Sequence, residues 1–165
     1  MGKLLKHPAS WAVIAAFGSA ALLLGAFGFQ YIGGLAPCTF CLWQRWPHAF
    51  AVLLGLLSLK FHHAGIAALG ALSALTSAAI GLFHTGVELK LWAGLQSCSG
   101  NLDVSDLTAE QALQAIMTSN VAKCDEVAWS LMGLSMASWN AILSFALAAL
   151  WVAQLRRLRK SSQEA

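Results

Sequence analysis

Charge is scarce in this sequence. Asp, Glu, Lys and Arg together supply 10% of its 165 residues. A water-soluble domain of that length carries roughly a quarter charged residues and needs them to cover its surface. Their shortage argues against one. Intrinsic disorder is excluded by the opposite excess: 58% of the residues are hydrophobic and the mean hydropathy is +0.67, whereas disordered chains are poor in such residues. A strong basic surplus is missing too. The net charge is only +3 and the basic residues do not gather into a binding face, so nucleic acid is not an expected partner. The chain also lacks a Cys-x-x-Cys-His haem attachment site and a Gly-x-Gly-x-x-Gly dinucleotide loop, which removes two common redox cofactors.

What the sequence does contain is long uncharged runs. A bilayer core of about 30 Å needs about 20 apolar residues as helix. Residues 10–29 and 64–83 each form such a run, and 127–155 form a longer one. Between Arg45 and Lys60 the uncharged stretch is short for a span, at about 1.5 Å per residue. Extension to His63 completes it, because Lys60 and the histidines can reach the headgroups. Pro47 suits a first helical turn, so this helix is predicted to start near Trp46, with Arg45 at the membrane edge. The fold class expected is an all-α membrane protein. It is a four-transmembrane-helix bundle in one integral domain over 1–165, with spans at 10–29, 46–63, 64–83 and 139–155 and outer loops at 30–45 and 84–138.

Charge sets the orientation. Lys3, Lys6, Lys60, Arg156, Arg157, Arg159 and Lys160 lie at the termini and the 60–63 turn, whereas Arg45, Lys90, Lys123 and six of the seven acids lie in the other loops. The positive-inside rule then puts both termini in the cytoplasm and both cysteine-bearing loops outside. Trp11, Trp43, Trp46, Trp139 and Trp151 fall near span ends, as interfacial aromatics do. The first run is too long for a usual signal peptide and lacks a small-x-small cleavage site, so the first helix is predicted to be retained. In the second outer loop, Leu107, Ala112, Leu113, Ile116 and Met117 share a helical face and Thr108 with Gln111 matches a capping box. This short amphipathic helix would lie on the membrane surface or pack on the bundle.

All four cysteines, Cys38, Cys41, Cys98 and Cys124, fall in the outer loops. An even count on an oxidising side reads as two disulfides. A Cys98–Cys124 bond would close a loop whose constraint is worth ~3.5 kcal/mol in the chain-entropy model, so a structural staple is one reading. Cys38-Thr39-Phe40-Cys41 closes a much smaller ring, worth about 2 kcal/mol in the same model, and is a poor staple. Its spacing suits thiol–disulfide exchange. Zinc is the other meaning of the spacing, with His84 or the outer cysteines as further ligands. Arg45 follows Cys41 by four residues and shares its face if the segment is helical. A permanent cation there would lower the thiol pKa; snorkelling to headgroups is the alternative. A dithiol at the membrane edge needs a two-electron acceptor, and a lipid-soluble quinone is the nearest plentiful one. Arg45 could stabilise the charge developing on its oxygen.

Taken together, Pro37-Cys38-x-x-Cys41-x-x-x-Arg45, the four spans, the second-loop cysteine pair and Trp129-x3-Gly133-x-Ser135-Met136-x2-Trp139-Asn140 resemble the disulfide bond formation protein B (DsbB) family over nearly the whole chain. His84-Thr85-Gly86-Val87-Glu88 is similar to a run found in many members. The resemblance implies a multi-pass protein of the bacterial inner membrane, a protein-dithiol:quinone oxidoreductase that re-oxidises a periplasmic thioredoxin-like dithiol oxidase (DsbA-like). It implies catalytic roles for Cys38, Cys41, Cys98 and Cys124, with Cys98 taking the mixed disulfide and Cys124 passing electrons to Cys38–Cys41. Ubiquinone or menaquinone would be bound by Cys41, Arg45 and His84, and no metal is implied. A His84–Glu88 pair capping the helix end is the plainer reading of those two residues. The soluble partner already sits near about −120 mV, so only a stronger oxidant can re-oxidise it. Two rivals remain on the residues alone. One is a vitamin K epoxide reductase-like enzyme, whose Cys-x-x-Cys follows the loop cysteines instead of preceding them; the other is a non-enzymatic stapled adaptor or metal carrier.

Overall fold

The computed structural model describes residues 9–95, 108–111, 114 and 122–164. Its long helices are α1 (Ser10–Tyr31), α2 (Thr39–Ser58), α3 (Ala64–Glu88) and α4 (Met136–Gln163), with a hairpin of β1 (Ser130–Leu131) and β2 (Leu134–Ser135) before the last. The principal packing pairs are α1 with α2, α2 with α3, α3 with α4, and α4 with α1. The helices thus form a ring in chain order, and α1 and α3 lie across its diagonal. Three of them, α1, α3 and α4, are long and apolar enough to cross a membrane. Polar Gln44, Arg45 and His48 in α2 lower the apolar content of that helix.

Size, more than polarity, decides what points inward. The core of the ring holds Ala12, Ala15, Ala67, Ala71, Ala74 and Ala148 around Trp151, while Phe17, Leu24, Leu56 and Leu72 point outward. Large apolar side chains outside and small ones inside are the pattern of helices packed in lipid, where close backbone approach replaces the hydrophobic driving force. Gly70 is the clearest case. A Cβ there would stand 2.4 Å from the Trp151 ring, so only glycine admits the fully buried tryptophan.

One expectation is corrected. The second helix does not begin near Trp46: it starts at Thr39, with Cys38 as its N-cap, and ends at Ser58. The Cys38 thiol accepts the Cys41 N–H at 3.3 Å and so satisfies one of the free donors of the first turn. Pro47 therefore lies inside the helix, where it offers no N–H to the Trp43 carbonyl one turn back. From α3, Ser73 donates its hydroxyl to the Pro47 carbonyl at 2.7 Å. The fold is mostly helical, as expected, with the short hairpin added before α4. Met132 (φ 54°) and Gly133 (φ 79°) both take positive φ between Leu131 and its antiparallel partner Leu134, the backbone of a tight two-residue turn.

The capping box is present. Thr108 N–H donates to Gln111 Oε1 at 3.1 Å, and Gln111 N–H donates to Thr108 Oγ1 at 3.3 Å. The apolar face assigned to that helix (Leu107, Ala112, Leu113, Ile116, Met117) lies outside the described residues, as does Cys98.

Candidate functional site

Three elements meet at the end of the bundle where α2 begins and α3 stops. Cys38 is 5% exposed and Cys41 half-buried one turn on, with their sulfurs 2.8 Å apart. A covalent S–S bond of roughly 2.05 Å therefore needs only a small sulfur displacement. Both cysteines precede the apolar stretch of α2 that starts at Trp46. Cys38 donates to Cys41 and is buried, and both effects raise its pKa. The same hydrogen bond lowers the Cys41 pKa to about 7 despite the opposing effect of burial. Cys41 is thus the thiolate side of the pair.

Arg45 enters this balance differently from the expectation. Its charge does lower the Cys41 pKa, but more weakly than the Cys38 hydrogen bonds do. Its guanidinium turns to α1 instead. Nη1 donates to Gln30 Oε1 at 2.6 Å, Nη2 donates to the Ala26 carbonyl at 3.3 Å, and Cζ stands 4.9 Å from the Phe27 ring centroid. An arginine at a membrane edge needs such partners.

The last turn of α3 brings His84 and Glu88 to the cysteines. His84 Nε2 lies 3.6 Å from Cys38 Sγ and 3.8 Å from Glu88 Oε1. Glu88 Oε2 accepts the hydroxyl of Ser135, which also caps α4 by accepting the Ser138 N–H. The helix-end His–Glu pairing is therefore real, and it sits against the dithiol.

Cys124 completes the constellation. It is fully buried in an apolar cluster with Cys38, Phe40 and Val87. Its turn is held by Lys90, whose Nζ donates to Asp125 Oδ2 at 2.6 Å and to the Asp125 carbonyl at 2.8 Å. Lys90 is placed by the end of α3: Leu91 N–H donates to Gly86 O and Lys90 N–H to Val87 O, with Lys90 at φ 59°. This is a Schellman stop with lysine where glycine is usual. Gly86 itself is needed because Trp92 packs on it; a Cβ would lie 1.9 Å from the indole.

A cavity of about 300 Å³ opens between α1, α2 and α4 and reaches both cysteines. Leu22, Ala26, Phe29, Trp139 and Leu143 supply apolar wall, and Gln44, Arg45, His48 and Asn140 supply polar groups. Gln44 Nε2 and Arg45 Nε are buried donors with no hydrogen-bond partner among the described residues. An apolar slot with unpaired donors beside a thiol fits a flat ring bearing carbonyl oxygens.

The structure thus brings together Cys38, Cys41, His84, Glu88 and Cys124, with Arg45 on the cavity wall. Gln30, Gln44 and His48 were not singled out from sequence, and Ser135 entered only as part of the Trp129-to-Asn140 motif, with no role. His48 carried the one usable signal, an ionisable residue within a candidate span.

A buried, exchange-ready dithiol on a mostly helical, membrane-type bundle defines a class: a membrane thiol oxidoreductase. The comparisons sharpen this. The chain matches the family of disulfide bond formation protein DsbB over residues 8–154. It is 32% identical to disulfide bond formation protein B of Pasteurella multocida, over 86% of this chain and 85% of the relative. It is 36% identical to the protein of the same name from Methylococcus capsulatus, over 79% and 83%. With disulfide bond formation protein B 2 of Pseudomonas aeruginosa the identity is 30%, over 81% of each chain. No solved structure matches the chain significantly. The chain belongs to the DsbB family, and its expected activity, membrane thiol oxidation in disulfide formation, follows from that membership.

Proposed function

We propose that the protein crosses the bacterial inner membrane four times, with α2 as the fourth span and both termini in the cytoplasm. In this reading it re-oxidises a periplasmic thioredoxin-like dithiol oxidase through Cys98–Cys124 and Cys38–Cys41. Lysine and arginine placement supports the orientation. Gln30 and the Ala26 carbonyl support α2 as a span, because they partner Arg45.

The observation that carries the electron route is the burial of Cys124 against Cys38 beside the cavity. A partner thiolate attacks Cys98 Sγ, the Cys98–Cys124 bond breaks, and Cys124 leaves as a thiolate. Cys124 then attacks Cys38 Sγ, and Cys41 leaves. Cys41 is the better leaving group of that pair because its pKa is the lower. The partner's second thiol resolves the mixed disulfide and releases Cys98. Cys98 then attacks Cys124, re-forming the loop disulfide and leaving Cys38 and Cys41 as a dithiol. The partner has lost two electrons and two protons, and the dithiol now holds them.

A quinone bound in the cavity, ubiquinone or menaquinone, supplies the two-electron, two-proton acceptor. On the cavity wall that they share with Cys41, Gln44 Nε2 and Arg45 Nε would donate hydrogen bonds to the oxygens of such a group. His84, against Cys38 and Glu88, is placed to move the thiol proton.

The test is quinone reduction by the purified protein in detergent, with a reduced thioredoxin-like dithiol protein as donor. Turnover that disappears in Cys41→Ser is the expected result. Absence of turnover with both quinone classes would overturn the proposal.

A further inference from the structure

His84 Nε2 has two Lewis-basic neighbours at distances long for strong hydrogen bonds, Cys38 Sγ at 3.6 Å and Glu88 Oε1 at 3.8 Å. The ligand atoms of Cys38, Cys41 and His84 all lie within 4.8 Å of one another. Zinc holds thiolate at about 2.3 Å, imidazole at about 2.0–2.1 Å and carboxylate at about 2.0–2.2 Å in a tetrahedron. Neighbouring vertices of such a tetrahedron stand roughly 3.6 Å apart for sulfur and nitrogen, roughly 3.4 Å for nitrogen and oxygen, and roughly 3.8 Å for two sulfurs. The Cys38–His84 edge already matches and the His84–Glu88 edge is within a few tenths of an ångström. The Cys41–His84 edge, at up to 4.8 Å, must close by about 1 Å, and Glu88, outside that three-residue group, must swing toward the sulfurs. The two sulfurs must part by about 1 Å. Cys38 precedes the helix as its N-cap, so a change in its side-chain torsion can supply that movement. Ser135 holds Glu88 Oε2 and leaves Oε1 toward His84, as groups behind a metal ligand do. Cys38, His84 and Glu88 are each at most 6% exposed, so the site is largely shielded from water.

We propose that the reduced form of the protein binds one zinc ion through Cys38, Cys41, His84 and Glu88, and that formation of the Cys38–Cys41 disulfide abolishes the site. Binding releases the protons that the two thiols still hold and moves no electrons. Oxidation of the pair removes two of the four ligands and expels the ion. Zinc therefore competes with re-oxidation of the dithiol and holds the reduced protein out of turnover. It acts as an inhibitor, not as a resident cofactor. This consequence for turnover rests on the proposed dithiol–disulfide cycle; the binding does not.

The experiment uses the full chain in detergent carrying Cys98→Ser and Cys124→Ser, so that only the Cys38–Cys41 thiols are present. Cobalt serves as the spectroscopic probe, and zinc affinity is read by competition with a chromophoric chelator. The reduced protein should bind one ion per chain with thiolate-to-cobalt charge-transfer bands, tetrahedral d–d bands and a proton release that falls from two toward one as the pH is raised through about 7. His84→Ala and Glu88→Gln should each weaken zinc binding by about tenfold or more, and the oxidised protein should bind none. Equal binding by the oxidised protein, absence of charge transfer, or unchanged affinity in His84→Ala would overturn the site. Loss of binding in the Cys98→Ser, Cys124→Ser background would overturn Glu88 as the fourth ligand in favour of Cys124. Quinone reduction by the wild-type chain is measured separately in metal-free buffer. Turnover without zinc binding defeats this inference alone, and zinc binding without turnover defeats the proposed function alone.

Discussion

Two histidines line the same cavity, equally buried, and differ in how well they are satisfied. His48 Nδ1 is 3.3 Å from Ser19 Oγ, and its Nε2 lies 3.0, 3.1 and 3.3 Å from Ser77 Oγ, Asn140 Oδ1 and Ser144 Oγ. Those partners come from α1, α3 and α4, so the ring of His48 in α2 ties together all four helices. His84 Nε2 instead faces a sulfur at 3.6 Å and a carboxylate at 3.8 Å. The first arrangement resembles the polar glue of membrane bundles. The second leaves a basic nitrogen free to take up a proton or a cation as the sulfurs change state. Proximity to the cavity does not separate the two roles; hydrogen-bond satisfaction does.

The largest effect expected is at neither histidine. Cys41→Ser should lower quinone turnover by about 10³-fold or more, because without Cys41 the Cys38–Cys41 dithiol of the proposed route cannot form. Next comes the comparison itself. His84→Ala should lower turnover by roughly tenfold to a hundredfold. His48→Ala should be the more destabilising of the two by about 1–2 kcal/mol, since it strands hydroxyls on three helices. Unfolding in detergent read beside steady-state rates separates these outcomes. If His84→Ala unfolds the protein while His48→Ala only slows it, the two roles are reversed.

A pH series sharpens the sulfur side. The hydrogen bond from Cys38 lowers the Cys41 pKa to about 7, so its thiolate should predominate above that pH. Alkylation of the reduced protein at Cys41 should rise with a midpoint near 7 in place of the about 8.5 of a free thiol. A midpoint at the free-thiol value would remove Cys41 as the activated sulfur.

The smallest effect concerns the turn carrying Cys124. The Lys90–Asp125 pair is exposed, with side chains 63% and 39% accessible, and its stabilisation is worth under about 1 kcal/mol. Lys90→Ala should leave unfolding nearly unchanged and slow internal disulfide exchange a few-fold, read by quenched-flow trapping. The Lys90 hydrogen bond lowers the Asp125 pKa. Its contribution is therefore full above the unfolded carboxylate value of about 3.9 and is lost as pH falls through the lower folded value. Exchange at neutral pH that stays unchanged in Lys90→Ala would show that the pair does not position Cys124.

Residues close in sequence were the readable part of the site. Cys38 and Cys41 are three apart, and one helical turn brings their sulfurs together wherever the helix is placed. His84 and Glu88 share a face for the same reason. Pro47 misled because its preference for a first turn is only a tendency, and the Cys38 cap carried the helix start eight residues before it. Arg45 was legible as a cation needing a partner, but its choice of Gln30 was not. Gln30 lies on another helix, and only the crossing of α1 and α2 brings it within reach.

The sequence by itself determined the medium and the chemistry. Scarce charge and long apolar runs require a bilayer, and the cysteine spacing brings two thiols within reach of each other, because both depend only on local composition and short-range geometry. Tertiary structure alone decided which atoms face one another: Cys124 against Cys38, Glu88 held by Ser135, and His48 among hydroxyls from the other helices. Such pairs join residues about 30 to 100 positions apart, and the ring order of the helices, set by which small residues permit close approach, is what brings them together.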